Sequence, residues 1–262
     1  MEFSVAGKKA FASTGGKPFD AAKPVVVFVH GSGMDHTAWQ LQTRYFAHHG
    51  RSVLAVDLPG HGRSEGPALT TVTAMSDWLI AALDALGVAQ AAIVGHSLTS
   101  FVCLDLAARY PARIRAIALC GMAAKMPVHP ELQAAGNKGD QLAYDIIASW
   151  ALDRRAHIGG AEAPGMWMMG GTLRLLEKGR DAVVGIDLAA SEKFGDAVPT
   201  ARQVKCPTLL LLGDRDRMTP LKNARPLVDA IPGARLVVLK QCGHMMMTEH
   251  PGATLDALKS IL

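Results

Sequence analysis

Four short stretches of this chain hold side chains whose types and spacing suit chemistry at an acyl carbon. In Val94-Gly95-His96-Ser97-Leu98 a serine stands between an apolar run and a helical pattern. On a tight strand-to-helix turn its hydroxyl is thrust clear of the sheet. The start of the following helix and the N–H of Leu98 then face any negative charge that develops there. A serine at a helix start is also a common N-cap, so Ser97 takes its meaning from the other stretches. Leu212-Gly213-Asp214-Arg215-Asp216 follows another apolar run. Carboxylates at the carboxyl ends of parallel strands point into the crevice where open α/β sheets bind ligands, and Asp214 and Asp216 both meet that description. Cys242-Gly243-His244 lies just past the last such run. Serine, aspartate and histidine in that chain order form a workable set: His244 takes the proton of Ser97, and an aspartate fixes the imidazole tautomer. The fourth stretch, Val29-His30-Gly31-Ser32-Gly33-Met34-Asp35, is poor in large side chains. It can present a backbone N–H to an oxyanion; that donor is assigned to Ser32, with Leu98 as the second.

These residues need a scaffold, and the hydropathy pattern supplies one. Unbroken apolar runs at Val25–Val29, Ser52–Val56, Ala91–Val94, Ile114–Leu119, Thr208–Leu212 and Ala234–Leu239 read as strands covered on both faces. The alternating opening, Phe3–Ala12, predicts an edge hairpin turning at Gly7-Lys8. Helical spacing marks Ala74–Leu86, Ser97–Tyr110 and Thr254–Leu262. Strand-helix alternation implies an α/β fold with a doubly wound, mostly parallel sheet. The rhythm fails between about Gly121 and Thr200, where Gly and Pro separate helical pieces such as Gln141–Leu152 and Thr172–Lys178. The expected organisation is a core of residues 1–120 and 201–262 with a helical cap inserted at 121–200.

The sequence resembles the α/β-hydrolase family almost end to end. The family's His-Gly oxyanion loop corresponds to His30-Gly31, and its Asp-x-Pro-Gly-x-Gly-x-Ser loop appears in full from Asp57 to Ser64. Gly-x-x-Asp with a later proline matches Gly213, Asp216 and Pro220, and Gly-His matches Gly243-His244. The resemblance therefore favours Asp216 over Asp214 as the acid and implies a helical cap after the sixth strand. One position departs from the pattern: the elbow runs Gly95-His96-Ser97-Leu98-Thr99, with threonine where the family usually has glycine.

Other function classes fit poorly. The formal charge is +4, but the basic residues are scattered and the densest doublets, Lys8-Lys9 and Arg154-Arg155, are too short to follow a phosphate backbone, so no nucleic-acid partner is expected. No stretch approaches the ~20 apolar residues needed to span a bilayer. The N-terminus has no apolar signal region, and Cys103, Cys120, Cys206 and Cys242 form no CxxC pair. The chain reads as cytoplasmic with free thiols. There is no His-Glu-x-x-His, no GxGxxG opening a helix and no Walker lysine, so neither a metal nor a nucleotide cofactor is expected. Nothing in the pattern encodes an oligomeric state.

The leading expectation is a serine hydrolase acting on a small apolar carboxylic ester, thioester or lactone. Met34, Met122, Trp150 and Trp167 are taken as candidates to line its acyl pocket, since methionines adapt to irregular apolar shapes. Two alternatives stand beside it: hydrolysis of a carbon–carbon bond in ring-fission diketones by related enzymes with a His-Gly-Ser-Gly loop, and a non-catalytic ligand-binding module that keeps the fold. Epoxide hydrolase and haloalkane dehalogenase chemistry needs aspartate at the position of Ser97.

Overall fold

Eight strands form one sheet in the computed structural model, which describes residues 1–179 and 182–262. They are β1 (Glu2–Val5), β2 (Lys8–Ser13), β3 (Val25–Val29), β4 (Ser52–Asp57), β5 (Ala91–His96), β6 (Ile114–Cys120), β7 (Thr208–Gly213) and β8 (Arg235–Leu239). Their order across the sheet is β1-β2-β4-β3-β5-β6-β7-β8. The β1–β2 and β2–β4 pairs are antiparallel, and every pair from β4 to β8 is parallel. The predicted fold class is thus the observed one. The hairpin turn lies one residue earlier than its Gly-Lys signal suggests. Val5 pairs with Lys8, and Ala6 and Gly7 make the turn at φ 49° and 79°. Positive φ at both central residues matches the right-handed twist of the flanking strands.

The central strands lack polar alternation because both their faces are covered. Along β3, Val26 and Phe28 enter one core with Trp39, Phe46 and Leu258, while Val25, Val27 and Val29 enter the other with Leu79, Phe101 and Leu104. The covering helices are α1 (Gln40–His48), α2 (Val72–Ala85) and α3 (Leu98–Arg109) before the insertion. Between β6 and β7 come α4 (Pro130–Lys138), α5 (Gln141–Ala151), α6 (Arg154–His157), α7 (Met168–Glu177), α8 (Val183–Phe194) and α9 (Val198–Ala201), with no strand among the described residues. The chain closes with α10 (Leu221–Ala230), α11 (Met246–Glu249) and α12 (Pro251–Lys259). No described helix is long and apolar enough to cross a membrane. The thiols of Cys103, Cys120 and Cys242 are buried and unbonded to one another, and burial pushes each above its ordinary pKa.

Candidate active site

The turn between β5 and α3 is tight enough to force Ser97 to φ 55°, a left-handed conformation that costs a non-glycine residue energy. Neighbouring contacts hold it there. Ser97 N–H donates to Cys120 O at 2.8 Å, and Ser100 Oγ, with one hydrogen to give, lies 3.1 and 3.2 Å from Gly95 O and Cys120 O. Gly95 must be glycine: a Cβ there would come 2.3 Å from Thr99 O and 2.7 Å from Cys103 Sγ. Thr99, fully buried, uses its hydroxyl locally. Its Oγ1 accepts from His96 N at 2.9 Å and lies 3.1 Å from Val29 O and 3.0 Å from His96 O. The threonine thus ties the end of β3 to the residue before Ser97.

His244 is held from three sides. Its Nδ1 lies 2.7 Å from Asp216 Oδ2, its N–H donates to Ala151 O at 2.7 Å, and its carbonyl accepts from His96 Nε2 at 3.0 Å. The ring sits against Gly121, where a Cβ would come 2.9 Å from it, and Gly121 follows the Cys120 carbonyl that binds Ser97. His244 Nε2 is buried with no hydrogen-bond partner among the described residues. Burial alone would raise the pKa of Asp216, but the His244 charge and hydrogen bond outweigh it. Bonds from Thr219 Oγ1 (2.6 Å) and Thr219 N (2.8 Å) add to these, holding the carboxyl at about 2. Asp214 is exposed and, among the described residues, its side chain reaches only Cys242 N, at 3.4 Å, and Lys240, at 3.9 Å. The geometry therefore joins Asp216, and not Asp214, to His244.

Two buried groups that the sequence reading passed over brace this arrangement. His96 is depressed to about 3 by burial and by the His244 charge, so it is neutral, and its Nε2–H serves the His244 carbonyl. Glu249, on α11, accepts from Gly243 N (3.1 Å), Met245 N (3.1 Å) and Asp153 N (2.9 Å), clasping both neighbours of His244. Its pKa is raised because burial outweighs those bonds. No local pattern announces either role, since their partners lie in other elements.

A cavity of about 290 Å³ opens over Ser97, and Ser32 and Trp150 also line it. Most of the wall is apolar, with Met126, Val128, Leu132, Leu188 and Met218 among its residues, and Arg217 stands at its rim over the Trp150 ring, 5.8 Å from the centroid. No carboxylate lines the cavity among the described residues. Among them, too, neither the Ser32 nor the Leu98 N–H donates to another group. Three predicted lining residues lie elsewhere. Met122 is wholly buried in the core cluster that includes Leu98 and Leu119. Met34 lines a separate recess with His36 and His61. Trp167 is 64% exposed, its ring lying over Gly170 at the start of α7, where a Cβ would come 2.2 Å from it. Trp167 thus faces outward and Trp150 inward, a choice made by packing between helices that spacing alone does not encode.

One cluster of metal-ligand types occurs among the described residues, at Asp35, His36 and Asp57. Its donors are already engaged: Asp57 accepts from His36 N (2.7 Å), His36 Nδ1 (2.8 Å) and Arg63 N (2.9 Å), and Asp35 caps the turn at Thr37 N (2.8 Å).

Residues 26–257 match the sequence profile described as alpha/beta hydrolase family. The chain is 31% identical over 253 residues to the pimeloyl-[acyl-carrier protein] methyl ester esterase of Aromatoleum aromaticum, covering 87% of this chain and 94% of that protein. It is 32% identical over 212 residues to the 2-hydroxymuconate semialdehyde hydrolase of Pseudomonas putida, covering 76% and 73%. In three dimensions it is similar to the enol-lactonase from Burkholderia xenovorans LB400, with a TM-score of 0.88 at 22% identity over 100% of this chain and 99% of the other.

Proposed function

This chain belongs to the alpha/beta hydrolase family, and from that premise we propose that it hydrolyses a small apolar carboxylic ester, thioester or lactone through an acyl-enzyme on Ser97. The observation that carries the reading is the buried His244–Asp216 pair, 2.7 Å apart, packed against the strained elbow that holds Ser97 at the cavity floor. With Nδ1–H committed to Asp216, His244 is fixed in the tautomer whose Nε2 accepts a proton. Ser97 Oγ attacks the acyl carbon, His244 takes its proton and returns it to the departing alcohol, and water reverses the sequence to release the acid. The oxyanion sits between the Ser32 and Leu98 N–H groups, with the N-terminus of α3 behind it; losing one such donor costs about 2.7–4 kcal/mol in the transition state. The cap, residues 121–200, supplies most of the acyl wall, and the apolar lining supports a neutral acyl group. The free thiols of Cys103, Cys120 and Cys242 support a cytoplasmic setting.

A second reading, hydrolysis of a carbon–carbon bond in a ring-fission product, draws on the same triad and on the 32% identity to a protein named for such an activity. A substrate panel of esters, thioesters, lactones and ring-fission products, with Ser97→Ala as control, tests both. Turnover of an uncharged ester that vanishes in the control supports the first; turnover of ring-fission products alone replaces it with the second.

A further inference from the structure

One of the buried acids outside the triad, Asp187, lies at the seam between cap and core. Asp187 on α8 is 1% exposed, and its Oδ2 accepts from Gly33 N at 2.8 Å and stands 2.9 Å from His61 Nε2, while Oδ1 is buried and has no partner among the described residues. His61, 2% exposed, directs its other nitrogen to Pro59 O at 3.1 Å. The Pro59 carbonyl can only accept, so Nδ1 carries hydrogen, and a carboxylate beside Nε2 favours hydrogen there too, which makes the ring cationic. Burial opposes that charge, but the Asp187 carboxylate and its hydrogen bond outweigh burial and raise the pKa. His30, whose ring lies 4.7 Å away, is neutral: Leu58 N donates to its Nε2 at 3.2 Å, and its Nδ1–H goes to Gly31 O at 2.9 Å.

A buried ion pair is weak evidence for stability, because desolvation offsets the attraction and apolar replacements often serve as well. What Asp187 does provide is a fixed link from α8 to residues 126 and 154 positions away, His61 and Gly33. The N–H that Asp187 grips belongs to Gly33, the residue after Ser32. On the same helix, Leu188 is its neighbour and Ser191 stands one turn further on, and both line the cavity. One rigid helix therefore touches the substrate space with one set of side chains and the oxyanion loop with another.

We infer that Asp187 is a positioning residue: through it α8 sets the Ser32 loop, so that an acyl group seated against Leu188 and Ser191 holds the oxyanion donor in register. His61, 2.9 Å from Oδ2, holds the Asp187 side chain in place. The inference rests on the ester-hydrolase reading with Ser32 as a donor. Its prediction is that binding energy from the acyl chain appears in kcat and not only in KM.

The test compares p-nitrophenyl acetate with p-nitrophenyl hexanoate in the wild type and in Asp187→Asn. The wild type should show a higher kcat for the hexanoate. Losing an oxyanion donor outright costs about 10²–10³ in kcat, and misplacing the loop that carries it should lower kcat for the hexanoate by about 10- to 100-fold. KM should be unchanged, and the acetate-to-hexanoate difference in kcat should disappear. Should Asp187→Asn fail to fold by circular dichroism, His61→Gln, which keeps a donor to the carboxylate but removes the charge, should shift kcat in the same direction. A change confined to KM or to melting temperature would overturn the inference, as would a wild-type kcat indifferent to acyl length. Fluorophosphonate labelling of wild-type Ser97, run beside these assays, separates the two levels. No label and no ester turnover sinks the hydrolase reading itself, whereas a labelled enzyme with unaltered kcat in Asp187→Asn sinks only the role of Asp187.

Discussion

Replacing Thr99 by valine removes one hydroxyl from a fully buried site and little else. That oxygen accepts from His96 N at 2.9 Å, and its single hydrogen goes to Val29 O or His96 O, at 3.1 and 3.0 Å. Valine leaves the amide immediately before Ser97 buried without that acceptor, and an unsatisfied buried amide costs about 1–3 kcal/mol. For a chain of this size 1 kcal/mol moves Tm by about 2–4 °C, so Thr99→Val should melt about 2–12 °C below the wild type. Thr99→Gly loses the same acceptor and adds about 0.3 kcal/mol of helix penalty relative to threonine, but its missing side chain leaves room for water to reach the amide. Turnover should respond less than stability does. The elbow is fixed by Gly95, by the Ser97 N–H bond to Cys120 O and by Ser100, none of which changes. Thr99→Gly should therefore stay within about tenfold of the wild type, or roughly 1.4 kcal/mol in the barrier. Thermal melts read by circular dichroism, paired with ester turnover, decide the matter. A Thr99→Val protein as stable as the wild type would refute the hydrogen-bond argument, and a Thr99→Gly protein about a hundredfold faster, some 2.7 kcal/mol, would show that threonine distorts the elbow.

Asp216→Asn should lower kcat by about 10⁴-fold through loss of the productive tautomer, whereas Asp214→Asn should have little effect; steady-state kinetics on the two variants checks the ranking. Because the folded pKa of Asp216 is depressed from 3.8 to about 2, its contribution to stability is present above pH 3.8 and lost as pH falls through 2. The acid-side decline in Tm across that window should be shallower in Asp216→Asn. Glu249→Gln places an amide NH₂ near three N–H donors, and losing hydrogen bonds to a charged acceptor costs about 1.5–3 kcal/mol each; Tm and kcat should both fall while KM holds. Arg217→Gln should change the preference between neutral and carboxylate-bearing esters only slightly, because an exposed ion pair contributes about 0.2–1 kcal/mol, at most about fivefold in kcat/KM.

The core strands were legible because each had to be apolar on both faces, so that Val25–Val29 could hardly be anything else. The proposed set of Ser97, Asp216 and His244 could be read for a related reason: each follows a strand within a few residues, where chain position translates readily into spatial position. Among the helices between β6 and β7 that translation fails. Trp150 and Trp167 look alike as sequence, yet the packing of α5 turns one to the cavity, and the ring of the other folds over Gly170 into solvent. Met122 and Met34 follow strand ends as Ser97 does, but their side chains enter the core and a neighbouring recess. The bracing groups were hidden for another reason. Glu249, His96 and Asp187 look like ordinary loop or helix residues, and their importance comes from partners such as Asp153 and Gly33, 96 and 154 positions away.

The central claim is that Ser97 is an activated nucleophile, and covalent trapping tests it most directly. A fluorophosphonate should add to Ser97, with its mass found on the peptide containing Gly95–Leu98. Labelling should be lost in Ser97→Ala and strongly slowed in His244→Ala, while both variants keep the wild-type circular dichroism spectrum. Absence of label on folded wild-type protein at every pH between about 6 and 9, where a histidine base passes from charged to neutral, would contradict the account and favour a fold retained only to bind.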